Sequence, residues 1–193
     1  MMRLGAHNSI AGGHPNAVTE CLAIGGEAMQ IFCKNQRQWT AKPITAEEAS
    51  AFRKAVTDAK IGPVMVHGGY LINMGNPDPV KREASRQAFL DEMNRSEQLG
   101  AAYLNIHPGS HKEEDKHKRD DGAVRKACLD RIAAAVATSL DETAGYKVKV
   151  VFENAAGQGS NVGNSWEEIG HLVGAVGSAR LGVTIDTQHS WAC

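Results

Sequence analysis

KVKVVFENAAGQGSN, residues 147–161, opens on an apolar run and turns polar at a single carboxylate, Glu153. A run as short and apolar as VKVVF suits a strand buried on both faces, and such strands belong to parallel sheets covered by helices. Outward from it the arrangement recurs. Upstream, Tyr103–Ile106 runs into His107, Pro63–Val66 into His67 and Met2–Ala6 into His7. AMQIFC (28–33) runs into Lys34 and Asn35, and downstream Leu181–Ile185 reads as a buried strand ending at Asp186.

Helices fill the intervals. Pro15–Ile24 carries Ala17, Val18, Cys21 and Leu22 on one face. Thr45 opens a helix with Glu48 closing a capping box, and Ser165 with Glu168 reads the same way. Asp78 as N-cap with Pro79 in the first turn starts a long helix that Gly100 ends. In 124–140, Val124, Cys128, Leu129, Ile132 and Val136 follow the helical period.

Alternation of this kind predicts a parallel sheet with helices over it. Five of the six strands end on His, His, His, Glu or Asp. In a (β/α)₈ TIM barrel, strand C-terminal ends are where catalytic residues sit. The expected fold is therefore α/β, a single partial TIM-barrel domain over 1–193 with about six of the eight βα units.

A chain of 193 residues can bury a sizeable core. It has no run of about 18 apolar residues for a transmembrane helix, so no membrane partner is expected. Its N-terminus lacks a basic segment followed by an apolar run, the mark of a secretory signal. Cys21, Cys33, Cys128 and Cys193 form no C-x-x-C pair, so reduced thiols and a cytoplasmic location are expected. The net charge of −1, from 21 Lys+Arg against 22 Asp+Glu, neither advertises nor forbids nucleic acid, because bound cations add local charge.

His67, His107, Glu153, Asp186 and His189 form the candidate ligand set. Imidazole and carboxylate suit zinc or manganese, and a carboxylate can bridge two ions. Ion pairs about 3.5–4 Å apart are a recurring solution for phosphoryl displacement. A strand-end histidine taken singly is more often structural; several together on one face reverse that reading. His7 is read as a residue that hydrogen-bonds a ligand. His14 and His171, on helices, are given no role.

Three loops remain. HKEEDKHKRDDG (111–122) reads as solvated, with His111 and His117 facing water. KNQRQWTAKP joins Arg37, Gln38 and Trp39 to flanking Lys34 and Lys42. It is either an interaction loop or a polar loop anchored by its Trp. In HGGYLINMGNPD, Tyr70 and Leu71 either wedge into a bound surface or pack the loop down.

Together, GAHNSIAGG (5–13), FCKNQRQW (32–39), HGGYLINMGNP (67–77), FLDEMNRSEQLG (89–100), NIHPGSH (105–111), FENAAGQGSN (152–161) and GVTIDTQHSW (182–191) resemble the endonuclease IV family of abasic-site endonucleases, AP endonuclease family 2. The resemblance covers essentially the whole chain. It implies a zinc-dependent barrel enzyme, a monomer, that hydrolyses duplex DNA 5′ to an abasic site. It further implies three zinc ions. His67, His107 and Glu153 would hold the first, Glu153 would bridge to a second that Asp186 also binds, and His189 would open the third. Arg37, Gln38, Tyr70 and Leu71 would enter the minor groove and displace the abasic nucleotide. Flipping costs least where the base is missing, which itself selects damage.

By the family's pattern the remaining ligands, a histidine, an Asp-x-His pair and a final glutamate, belong to strands seven and eight. The chain therefore reads as C-terminally truncated, with only the first zinc site complete by residue type. An open six-strand arc would expose parallel edges and apolar interior, predicting poor solubility or strong dye binding. The charged stretch after HPGSH is longer than the family pattern and is expected to alter only a surface loop. Two other readings stay open: a metal-dependent sugar isomerase or epimerase, since related barrels use the same ligand types, and a non-catalytic fragment that binds zinc or damaged DNA.

Overall fold

A computed structural model describes residues 2–192; Cys193 lies outside them. In chain order the elements are β1 (Gly5–His7), α1 (His14–Ala23), β2 (Ala28–Phe32), α2 (Ala46–Ala59), β3 (Val64–His67), α3 (Pro79–Leu99), β4 (Tyr103–Ile106), β5 (Gly109–Ser110), α4 (Gly122–Glu142), β6 (Lys149–Glu153), β7 (Asn161–Val162), α5 (Trp166–Val176), β8 (Leu181–Thr184) and α6 (Thr187–Ala192). They fall into two compact units. One runs to Leu71 and takes in 91–104 and 147–149; the other comprises 72–90, 105–146 and 150 onwards.

In the first unit β1, β2 and β3 pair in parallel, from Gly5 opposite Ala28 to Phe32 opposite His67. Beside β3, the Ala102 N–H donates to Val64 O and the Lys149 N–H to Ala102 O, so β4 and then β6 follow. In the second unit β6 pairs in parallel with β8, Val150 opposite Leu181 through Glu153 opposite Thr184. The order β1-β2-β3-β4-β6-β8 is thus the parallel α/β sheet that the alternating pattern predicts. Separately, β5 and β7 form a two-stranded antiparallel pair.

The first unit buries Met29 and Ile31 of β2 with Ala17, Val18 and Cys21 of α1 and Ala49 and Phe52 of α2. The capping box at Thr45 forms as read: its Oγ1 accepts from the Glu48 N–H while Glu48 accepts from the Thr45 N–H. In the second unit Cys128, Leu129, Ile132 and Val136 of α4 are buried together with Phe152 and with Ile169 and Leu172 of α5. Cys21, Cys33 and Cys128 are free, buried thiols.

Three local expectations are corrected. Ser165 caps α5 by accepting from the Glu168 N–H, but Glu168 is used elsewhere. Its carboxylate pairs with Arg125 at 2.6 Å and accepts from the Gly163 N–H at 2.7 Å, because a charged partner outcompetes the cap's own amide. His117 is exposed as expected, whereas His111 is only 2% exposed. The β5–β7 pair carries it inward: its N–H donates to Ser160 O and its Nδ1 accepts from the Glu113 N–H. Burial then lowers its pKa. Lastly, β8 is not a fully buried strand. Val183 is 42% exposed, and Ile185 just past its end 64%; among the described residues β8 pairs only with β6.

Candidate metal centre

In the second unit three of the predicted ligands converge. One donor atom each of Glu153, Asp186 and His189 lies within 4.8 Å of the others, a spacing that fits a metal ion. Glu153 closes β6 and is buried; Asn105 of β4 donates from Nδ2 to its Oε2. His189 Nδ1 is 3.3 Å from Glu153 Oε1. The His107 ring, one residue past β4, stands 5.3 Å from that of His189, centroid to centroid.

Asp186 and His189 are brought together by the start of α6. Asp186 Oδ1 accepts from the His189 N–H at 2.9 Å, an N-terminal cap made by a candidate ligand. That bond from the His189 backbone holds the Asp186 carboxyl below its ordinary range. Asn154, the residue after Glu153, staples the segment in place. Its Oδ1 accepts from the Asp186 N–H at 2.6 Å, and its Nδ2 donates to Asp186 O and Ser190 Oγ, both at 3.1 Å. Its carbonyl oxygen lies 2.8 Å from His189 Nδ1. A neutral ring donating there keeps the Nε2 lone pair for a ligand, which is how outer partners usually orient metal-binding histidines.

In the first unit, His67 at the end of β3 is buried, with Nδ1 2.7 Å from Gly68 O. Phe32 and Tyr70 meet the His67 ring edge-on at centroid distances of 5.4 and 5.9 Å. His7 is exposed at the end of β1; its Nδ1 pairs with Gln30 Nε2 at 3.0 Å, and its ring lies 4.5 Å from that of Phe32 and 6.2 Å from that of His67. Desolvation against these rings, and then the neighbouring His67, lower its pKa.

The two loops of this unit are arranged differently from expectation. Trp39 does not anchor its loop: it is 47% exposed. The anchor is Lys34, whose side chain is 3% exposed and whose Nζ donates to Trp39 O and pairs with Asp91 at 2.8 Å. Arg37 and Gln38 project from a turn in which Asn35 Oδ1 accepts the Arg37 N–H and Asn35 O the Gln38 N–H. Tyr70 is 61% exposed and Leu71 half-buried. Asn105, Asn154, Lys34 and Glu92 were not singled out from sequence as functional. Only the motifs NIHPGSH, FENAAGQGSN, FCKNQRQW and FLDEMNRSEQLG signalled them, without showing what the side chains hold.

Histidine and carboxylate donors gathered at the C-terminal ends of a parallel, helix-covered sheet define an α/β barrel-type protein with a candidate metal centre. Residues 18–193 match the family described as "Xylose isomerase-like TIM barrel". The chain belongs to that family, and within it to the endonuclease IV group that its motifs resemble. It is 44% identical over 196 residues to a probable endonuclease 4 of Phocaeicola vulgatus, covering 99% of this chain and 66% of that one. Among solved structures, the endonuclease IV of Thermus thermophilus is similar at 30% identity with a TM-score of 0.82, over 99% of this chain and 65% of that one. A D-psicose 3-epimerase at 14% identity and a TM-score of 0.75 shares the fold, over 97% of this chain and 64% of its own. The chain therefore spans 66% of the length of the first curated relative. Among the described residues no helix is long and apolar enough to cross a membrane.

Proposed function

We propose that this chain carries metal-binding and DNA-reading parts of a cytoplasmic, monomeric abasic-site endonuclease that hydrolyses the phosphodiester 5′ to the lesion in duplex DNA. The observation that carries this reading is the convergence of Glu153, Asp186 and His189, with His107 beside them, in a chain 44% identical to a probable endonuclease 4. The donor set fits zinc, with manganese as the other candidate, since it combines imidazole with carboxylates. His67, His107 and Glu153 would hold one ion, Glu153 and Asp186 a second, and His189 would contribute to a third. When bound, such ions supply an activated water near neutral pH and positive charge for the phosphate.

The protein's own residues do the rest. Asn105 fixes the Glu153 carboxylate and Asn154 fixes Asp186 and His189, so the donors are pre-oriented and little rearrangement accompanies binding. Arg37, Gln38, Tyr70 and Leu71 would enter the minor groove. An exposed Tyr70 beside Leu71 can fill the gap left by a displaced nucleotide, at a cost lowest where no base is stacked.

The test is incision of a duplex bearing one abasic site by the zinc-loaded chain, beside Glu153→Ala and a chelator control. Cutting 5′ to the site, abolished by both, would mean that this chain rebuilds a working metal site although only its first zinc site is complete by residue type. A folded, zinc-bound chain that does not cut returns the non-catalytic reading. DNA affinity unchanged by Arg37→Ala and Tyr70→Ala returns the sugar isomerase reading.

A further inference from the structure

The stretch FLDEMNRSEQLG is the C-terminal half of α3 with the Gly100 that follows it, yet it places charges where apolar residues would pack. Glu92 is 2% exposed. Burying a carboxylate is costly unless it is paired and hydrogen-bonded, and an apolar residue of similar volume often serves stability as well or better. What these groups hold is therefore informative. Glu92 accepts the Gly69 N–H on both oxygens, at 3.0 and 3.2 Å, and lies 3.7 Å from Lys34 Nζ. Lys34 pairs with Asp91 and donates to Trp39 O at 3.2 Å. Arg95 chelates Asp91 and donates to Lys42 O at 2.9 Å and Ala41 O at 3.1 Å. Every bond leaving the cluster thus ends on the backbone of one of two loops.

The loops are also joined directly, by the Tyr70 N–H to Gln36 O at 3.1 Å. The fit at Gly69 is close enough that a side chain there would displace the Glu92 carboxylate. A Cβ there would stand 2.9 Å from Glu92 Oε1 and 3.4 Å from Gln36 O.

We propose that Asp91, Glu92 and Arg95, with Lys34, are positioning residues that lock the 34–42 and 69–71 loops into one arrangement for binding abasic DNA. The proposal rests on the reading that these loops meet DNA. Because the clamp is internal, it is measurable without DNA.

Two readouts on the zinc-loaded chain separate the questions. The first is amide hydrogen exchange at 39–42 and 69–71. The second is affinity for a duplex with a non-hydrolysable linkage 5′ to an abasic analogue, with Arg37→Ala as reference. Glu92→Ala removes a charged hydrogen bond, so exchange at 69–71 is expected to rise about tenfold or more, and DNA affinity to fall by a similar factor, with α2 amides unchanged. Glu92→Gln keeps an acceptor for Gly69 and restores both to within about threefold. Arg95→Lys, which retains charge but loses the second arm, loosens 39–42 by the same measure even if Glu92→Ala fails to fold.

Unchanged loop exchange in these variants overturns the proposal. So does faster exchange with unchanged DNA affinity where Arg37→Ala weakens binding; that outcome leaves the DNA reading standing. Full DNA affinity in Arg37→Ala and Tyr70→Ala alike would remove the DNA role of the loops and the proposal with it.

Discussion

Asn154→Ala isolates what the staple does for the candidate centre. Asn154 is buried, and its side chain makes three hydrogen bonds to the segment carrying Asp186 and His189: one at 2.6 Å and two at 3.1 Å. Each is worth a net of about 1 kcal/mol, so the variant should lower the free energy of opening 186–190 by about 3 kcal/mol. The backbone carbonyl that meets His189 Nδ1 survives the substitution, which confines the loss to the side chain. At about 1.4 kcal/mol per factor of ten, exchange of the His189 and Ser190 amides, which bond Asp186 Oδ1 and Asp186 O, should accelerate about a hundredfold. Zinc affinity should fall about 10- to 100-fold, the usual effect of losing a partner that orients a ligand. Hydrogen-exchange mass spectrometry and calorimetric zinc titration measure the two. An acceleration below about threefold would refute the argument, because it would mean the 186–190 segment holds its own geometry without Asn154.

Two further outcomes follow from single side chains. Burial pushes the Glu92 carboxyl up from its ordinary 4.5 to about 7, against the lowering by the Gly69 N–H and Lys34. Between those values the folded state binds the proton that the unfolded state has lost, so this contribution to stability is full below pH 4.5 and is lost as pH rises through about 7. Urea unfolding from pH 5 to 8 should therefore show Glu92→Gln gaining on the native chain as pH rises; a constant difference would contradict it. Thr45→Ala removes one half of the capping box on α2 and should cost about 1 kcal/mol in the same assay, with no change in zinc affinity.

Much of the fold was legible because it depends on local chemistry. The apolar run before Glu153, the caps at Thr45 and Asp78, and the helical period through 128–136 each obey rules that act within a few residues. The strand-end positions of His67, His107, Glu153 and Asp186 follow from the same reading, since a parallel strand's last apolar residue marks where its C-terminal end must be. His111 was misread because its burial comes from the pairing of β5 with β7, which two residues of strand on each side do not advertise.

What remained out of reach was which distant groups meet. Nothing in LDEMNRS states that Glu92 will accept the Gly69 N–H, 23 residues away, or that Lys34 will outrank Trp39 as an anchor. Nor does NAAG announce that Asn154 will bind Asp186, 32 residues on. Sequence alone determined the alternating strand–helix order, the family and the types of donor at the strand ends, because period, caps and motifs are local. Only tertiary structure decided which donors converge and what holds them. Burial and hydrogen-bond partners belong to neighbours in space, and chain separation carries no physical record of them.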